Sequence, residues 1–153
     1  MRRSYLNEGS AAFAMALVCF FSGGNALNAR DLGFVWASQG MTHSLVLSIP
    51  DRTYLHYKNK PRIRNYSRYT LEDPGFQTVG MVAHALEKKA KTLGFSDWQT
   101  VNFIISFVQY LDYKDEEGEY PRYPAETLVE GAGDCEDTSI LLSALLRELG
   151  YDC

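Results

Sequence analysis

Gly131-Ala-Gly-Asp-Cys-Glu-Asp137 runs directly into Thr138-Ser-Ile-Leu-Leu-Ser-Ala-Leu-Leu-Arg-Glu-Leu149, which Gly150 stops. Leu141, Leu142, Leu145, Leu146 and Leu149 recur at helical spacing, so a helix is expected from about Asp134 to Leu149. Asp134 is a good N-cap, and Asp137 stands at the third helical position, where an acidic side chain can reciprocate the cap. Cys135 then falls in the first turn. There, unpaired backbone N–H groups and the positive end of the helix dipole favour a thiolate. A backbone N–H of that turn can also bond an oxyanion forming on an attacked carbonyl. Gly131 and Gly133 would let a substrate backbone approach closely. These are the needs of a cysteine nucleophile. Two other readings of the same residues stand beside it. A cysteine opening a helix is often a small buried residue, and the carboxylates of Asp134, Glu136 and Asp137 oppose a thiolate. Those three could also hold a hard cation such as calcium through oxygen ligands, although capping explains two of them without a metal.

Working upstream, Ala125–Glu130 reads as a short helix, and 112–124 as a loop rich in Tyr, Pro and acids. Ser96 and Gln99 form a capping box for a helix that carries no charged residue between Asp97 and Asp112. Its apolar stripe is expected to be Trp98, Val101, Ile104, Ile105, Val108 and Leu111. Gln99, Asn102, Ser106 and Gln109 form a polar stripe that must find hydrogen-bond partners. Asp73-Pro74-Gly75 announces an earlier helix from Val79 to Leu93, with Val82, Ala83, Leu86 and Ala90 on one face and Gly94 as its stop. Phe34–Ser38, Gln39-Gly40 and Thr42–Ile49 read as a β-hairpin closed by Pro50-Asp51. Leu45, Leu47 and Ile49 share one face of it. Between hairpin and helix, Tyr54, Tyr57, Tyr66 and Tyr69 are interleaved with Lys58, Lys60, Arg62, Arg64 and Arg68. Aromatics among cations can stack on single-stranded nucleic acid. The simpler reading is a surface segment whose tyrosines lie on the core and whose cations face the acidic run Asp115–Glu119.

The chain has 153 residues, 46% hydrophobic and 22% charged, with a net charge of −4, which suits one globular domain. A net negative chain is a poor general nucleic-acid binder, so no nucleic-acid partner is expected. Three cysteines, none close to another, give neither a disulfide framework nor a zinc pattern. A 135–153 bridge is not expected either. A helix over 135–149 is about 20 Å long, and a disulfide needs Cα atoms within about 7 Å. Residues 1–29 open with Arg2 and Arg3, continue through the apolar stretch Ala11–Phe21 and exit through small residues to Ala26 and Ala29. That is the layout of a signal peptide, with an uncleaved N-terminal anchor as the alternative. The chain is thus expected to be exported (periplasmic, cell-envelope or extracellular), touching a membrane only through this segment, with a domain over 30–153.

The stretch Tyr123-Pro-Ala-Glu-Thr-Leu-Val-Glu-Gly-Ala-Gly-Asp-Cys-Glu-Asp137, with the apolar helix ending in Leu149-Gly150, resembles the nucleophile segment of the transglutaminase-like superfamily. It is most similar to the branch holding the bacterial transglutaminase-like cysteine peptidases. The resemblance implies an α+β, papain/transglutaminase-like core: an N-terminal hairpin and a helical half bearing the nucleophile helix, with most of the sheet missing. It implies that Cys135 attacks a peptide or glutamine-type amide and forms a thioester, followed by hydrolysis or transfer. It makes Gln109 an oxyanion-hole or substrate contact and places Gly133 and Asp134 at the substrate. Asp134, Glu136 and Asp137 become an acidic collar where some relatives hold calcium; no other cofactor is implied. The expected partner is a peptide or protein substrate.

The family's triad continues with a His and then an Asp or Asn after the nucleophile helix, where this sequence has only Tyr151-Asp-Cys153. His43, His56 and His84 all lie upstream and read as surface or strand-edge histidines. Acyl transfer without a base is slow, so the sequence is expected to be the N-terminal part of such an enzyme, inactive as it stands. The alternative is a non-catalytic module binding peptide or cell-wall polymer. The leucines of the last helix, with one hairpin to bury against, lead to an expectation of an exposed apolar patch and marginal stability.

Overall fold

Gln39 and Gly40 both take positive φ, 51° and 75°, the backbone of a two-residue hairpin turn whose twist matches that of the strands. It joins β1 (Ala29–Ser38) to β2 (Met41–Pro50) in an antiparallel ladder pairing Ser38 with Met41 and Ala29 with Pro50. Period-two alternation then decides the faces: Phe34, Trp36, Leu47 and Ile49 are buried, while Val35, Ser44, Val46 and Ser48 point outward. This is a computed structural model, and it describes residues 28–115 and 118–153. The expected signal peptide therefore lies almost wholly outside the described residues; only its last two positions, Asn28 and Ala29, are seen, with Ala29 opening β1.

Pro50-Asp51 ends the hairpin but starts a helix, α1 (Asp51–Lys58), which the mixed composition of the segment concealed. Pro50 has the fixed φ that suits a helix entrance, and Asp51 puts a carboxylate in the first turn. A 3₁₀ turn follows at Tyr66–Thr70. The next helix, α2 (Thr78–Thr92), has the expected span and buried face, but Asp73 does not cap it. Glu72 does so from a distance, its two carboxylate oxygens accepting the N–H groups of Thr78 (2.8 Å) and Val79 (2.9 Å).

Ser96 and Gln99 form the expected capping box on α3 (Asp97–Gln109). The buried face of that helix differs from the expected stripe. It is Thr100, Phe103, Ile104, Phe107 and Val108, continued by Leu111, whereas Trp98 is 74% exposed. The hairpin sets this rotation: Phe34 and Trp36 lie 5.3 and 5.2 Å from the Phe107 ring, and Trp36 lies 5.3 Å from Phe103. Two large rings outweigh the lone indole in the first turn. Within the polar stripe Gln99 serves the capping box and Gln109 is exposed. Asn102 donates to the Trp98 carbonyl, and Ser106 donates to the Phe103 carbonyl while accepting the Trp36 indole N–H.

After α3 come β3 (Asp112–Tyr113), α4 (Pro124–Glu130), β4 (Ala132–Gly133) and α5 (Cys135–Glu148). β3 and β4 form a two-residue parallel bridge pairing Asp112 with Ala132 and Tyr113 with Gly133. Gly131 ends α4 at φ 64°, the left-handed conformation that glycine adopts without strain. Five α-helices and two small sheets among the described residues make an α+β fold. α5 packs on α2, α3, α4 and the 3₁₀ turn. Leu141 and Leu145 are fully buried there, and Leu142, Leu146 and Leu149 lie half-buried against the core. The expected bare leucine face is thus covered by helices rather than by the hairpin. Among the described residues no helix is long and apolar enough to cross a membrane.

Candidate active site

The first turn of α5 is fixed by Asp134. Its Oδ1 accepts the N–H of Glu136 (2.8 Å) and of Asp137 (3.0 Å), and Asp137 Oδ2 accepts the N–H of Asp134 (3.3 Å), completing the capping box. Among the described residues the Cys135 N–H alone of these first-turn donors has no acceptor. The Cys135 thiol is exposed and free of any disulfide. It lines a shallow apolar hollow with Tyr66, Glu136, Ser139 and Ile140. Across Ser139 lies a second groove of about 330 Å³, lined by Ile105, Val108, Gln109, Leu111, Tyr113, Gly133, Thr138, Ser139 and Leu142.

The residues singled out from sequence are therefore brought to one place, though not as one cluster. Gln109 and Gly133 line the second groove, and Cys135 and Glu136 the first. Gly133 has a structural duty as well: a Cβ on it would lie 2.6 Å from the Cβ of Asp137. Its missing side chain is what lets Asp137 close over the turn. Tyr113, unremarked in the sequence, presents its phenol near the thiol. The charge of Asp115, then a slight loss of hydration, and then the charges of Cys135 and Asp134 push that exposed phenol above its ordinary value. Only a strand of two residues marks this position, too short for periodicity to show.

Asp137 is 0% exposed. Arg122 meets it twice, with its backbone N–H on Oδ1 (2.6 Å) and its guanidinium Nη1 on Oδ2. Arg122 Nε also donates to Glu130 (3.0 Å), and the other oxygen of Glu130 accepts from Lys58 (2.7 Å) and the Tyr54 hydroxyl (3.0 Å). Beside this set, Arg62 binds the fully buried Glu126 (2.7 Å) and the Tyr120 hydroxyl, and its guanidinium lies over the Tyr120 ring. Lys60 and His56 bind Asp73 at 2.6 and 2.7 Å. Among the described residues Lys58, Arg62 and Lys60 thus meet Glu130, Glu126 and Asp73. Two of the four tyrosines of that segment reach the core: Tyr57 and Tyr69 pack against Tyr123 in a second apolar cluster, while Tyr66 is exposed.

With Asp137 engaged by Arg122 and Asp134 spent on the cap, the collar does not fit a calcium ion. Among the described residues no group of three or more His, Cys, Asp or Glu side chains is placed to hold a metal.

None of the three histidines lines either groove beside Cys135. His56 and His84 are exposed, as expected. His43 is not a surface residue: it is 4% exposed, its ring 4.8 Å from Phe103 and its Nε2 3.2 Å from the Ser38 carbonyl. Strand alternation places it on the inner face, opposite Trp36.

The carboxylates around this network differ in sign. Burial raises Glu130, but hydrogen bonds from Lys58 and Tyr54 and the charge of Arg122 more than offset it, leaving Glu130 below its ordinary value. Hydrogen bonds from His56 and Lys60 lower Asp73. Burial dominates at Glu126 and Glu72 and pushes both up, against the backbone N–H groups each accepts. A lowered carboxyl stabilises the fold fully above its unfolded value and loses that contribution as pH falls through its folded one. Asp73 thus contributes above about pH 4 and ceases to do so in acid. Asp73→Asn is expected to flatten the acid limb of a urea-unfolding profile between pH 5 and 2, by less than about 1 kcal/mol because the pair is partly exposed.

No curated protein and no solved structure matches the chain. A family model, the transglutaminase-like superfamily, matches residues 76–153, from the loop before α2 through the turn that bears Cys135, and this chain belongs to that superfamily.

Proposed function

We propose that Cys135 is the nucleophile of an exported thiol-dependent amide hydrolase or acyltransferase, of the cysteine-peptidase kind, acting on peptide or glutamine-type amides. One observation carries this reading: an exposed thiol opens a tightly capped helix whose Cys135 N–H is left without an acceptor among the described residues. The sulfur attacks the carbonyl carbon, the Cys135 N–H stabilises the oxyanion, and the C–N bond breaks to leave a thioester and an amine. Gln109 lines the neighbouring groove, where an amide N–H₂ can contact the substrate. The proton for the leaving amine needs a general acid that none of the three histidines supplies from its position. We assign that role to chain following residue 153, as in the family's His and Asp or Asn. The basic and apolar start of residues 1–29 supports export.

The test is turnover of a peptide amide by the full-length gene product and by its Cys135→Ala variant. A loss of about 10³-fold or more is expected, since removing a nucleophile removes the covalent path. Equal turnover in the variant overturns the reading. The lack of a histidine in the grooves favours a second reading, a non-catalytic module holding peptide in them. It predicts peptide binding without turnover in both proteins.

A further inference from the structure

We infer that Arg122 is a positioning residue for Cys135: by clamping Asp137 it holds the capped turn in which the Cys135 N–H is kept free for an oxyanion. The inference rests on Cys135 being the nucleophile.

Arg122 reaches the turn from the loop before α4, and it reaches it twice. Its main chain and its side chain take opposite oxygens of the same carboxylate. Asp137 is thereby held in position and charge-compensated while burying completely. That orientation lets Oδ2 also accept the Asp134 N–H, the bond that sets the Asp134 backbone as N-cap. Asp134 in turn occupies the Glu136 and Asp137 amides. Each first-turn donor except that of Cys135 is thus engaged, and the engagement depends on where the Asp137 carboxylate sits. A short aspartate without the clamp has other rotamers open to it. Arg122 is itself held by Glu130, and Glu130 by Lys58 and Tyr54, so the guanidinium has one orientation imposed from both ends. A planar fork with several fixed donors can bond both carboxylates at once, which a lysine ammonium cannot do with the same geometry. The charge also acts in the right direction, since Arg122 offsets negative charge in a turn that carries Asp134, Glu136 and Asp137 around the sulfur.

The test compares wild type, Arg122→Gln, Arg122→Lys and Cys135→Ser in the full chain, with two readouts. The first is the burst of p-nitrophenolate on acylation by p-nitrophenyl acetate. The sulfur bonds the acetyl carbon, the ester C–O bond breaks, the phenolate leaves with the electron pair, and the thiol proton goes to buffer. The second is amide hydrogen exchange at Glu136 and Asp137, measured against Leu141 and Leu145 in the same helix. R122Q is expected to acylate at least tenfold more slowly and to exchange faster at Glu136 and Asp137 alone. R122K is expected to lie between R122Q and wild type, at least threefold slower than wild type. If R122Q does not fold, the comparison of R122K with wild type decides by the same threefold criterion. Faster exchange with an unchanged burst would make Arg122 purely structural and overturn the inference. An unchanged R122Q does the same. A wild-type burst no larger than that of Cys135→Ser overturns the nucleophile reading itself, and the inference falls with it.

Discussion

Replacing Asp137 by alanine is expected to destabilise the fold by about 3–5 kcal/mol, measured by urea or thermal unfolding followed by circular dichroism. The magnitude follows from what is left behind. Arg122 is 3% exposed and would keep Glu130 while losing the carboxylate that takes both its backbone N–H and its Nη1. A buried cation then loses much of its compensation, the costly way to break an ion pair. The loss of the Asp134 N–H acceptor adds the smaller cost of an impaired cap. Asp137→Asn should cost less, because an amide oxygen can still accept the Arg122 backbone N–H now bound at 2.6 Å. A double variant removing both partners, Arg122→Met with Asp137→Leu, should recover part of the loss if the under-compensated charge of Arg122 is its main source. Equal stability of D137A and wild type would mean that the carboxylate is hydrated rather than buried.

Phe107→Ala is the second large effect expected, a loss of about 3–5 kcal/mol in the same measurement. Phe107 has no exposed surface, and its ring is the point where the hairpin meets the helical layer through Phe34 and Trp36. Removing it takes away the burial of an aromatic side chain and leaves a cavity between the hairpin and α3. Tryptophan fluorescence should change with it, since Trp36 lies against that ring while Trp98 is exposed. A matching loss in Trp98→Ala would contradict the placement of α3, because Trp98 buries little surface.

The turn bearing Cys135 was legible in the sequence because its determinants are local. An N-cap, its reciprocal acid three residues on, and an apolar run stopped by glycine lie within seventeen residues, Asp134 to Gly150, and each acts on its neighbours. The hairpin and α2 were legible for the same reason, through period two and period 3.6. What escaped was long-range. α1 looks unpatterned because it turns to the core only with Thr53 and Tyr57, and spends its other faces on ion pairs. The stripe of α3 could be phased two ways, and only docking of the hairpin selected the phenylalanines over Trp98. The partners of Lys58, Arg62 and Arg122 could not be read at all. By charge alone the densest acidic run is the obvious partner, but Lys58, Arg62 and Arg122 meet Glu130, Glu126 and Asp137, acids scattered through α4 and the first turn of α5. His43 was misread for want of its strand partner: beside Trp36 on the inner face, an imidazole packs as an aromatic ring.

The ties that brace the turn before α5 span very different lengths of chain: 15 residues from Arg122 to Asp137, 64 from Arg62 to Glu126 and 72 from Lys58 to Glu130. Loop closure makes the distant ties late events in folding. α5 can therefore coil and find α2 and α3 while its amino end is still loose, and that end tightens only once α1 docks. A transient detachment of α1 would run the same sequence backwards, slackening the thiol's surroundings while the leucine core stays shut. The opening free energy of the turn is then set by a helix more than seventy residues upstream, and protection there should rise and fall with α1 rather than with the body of α5.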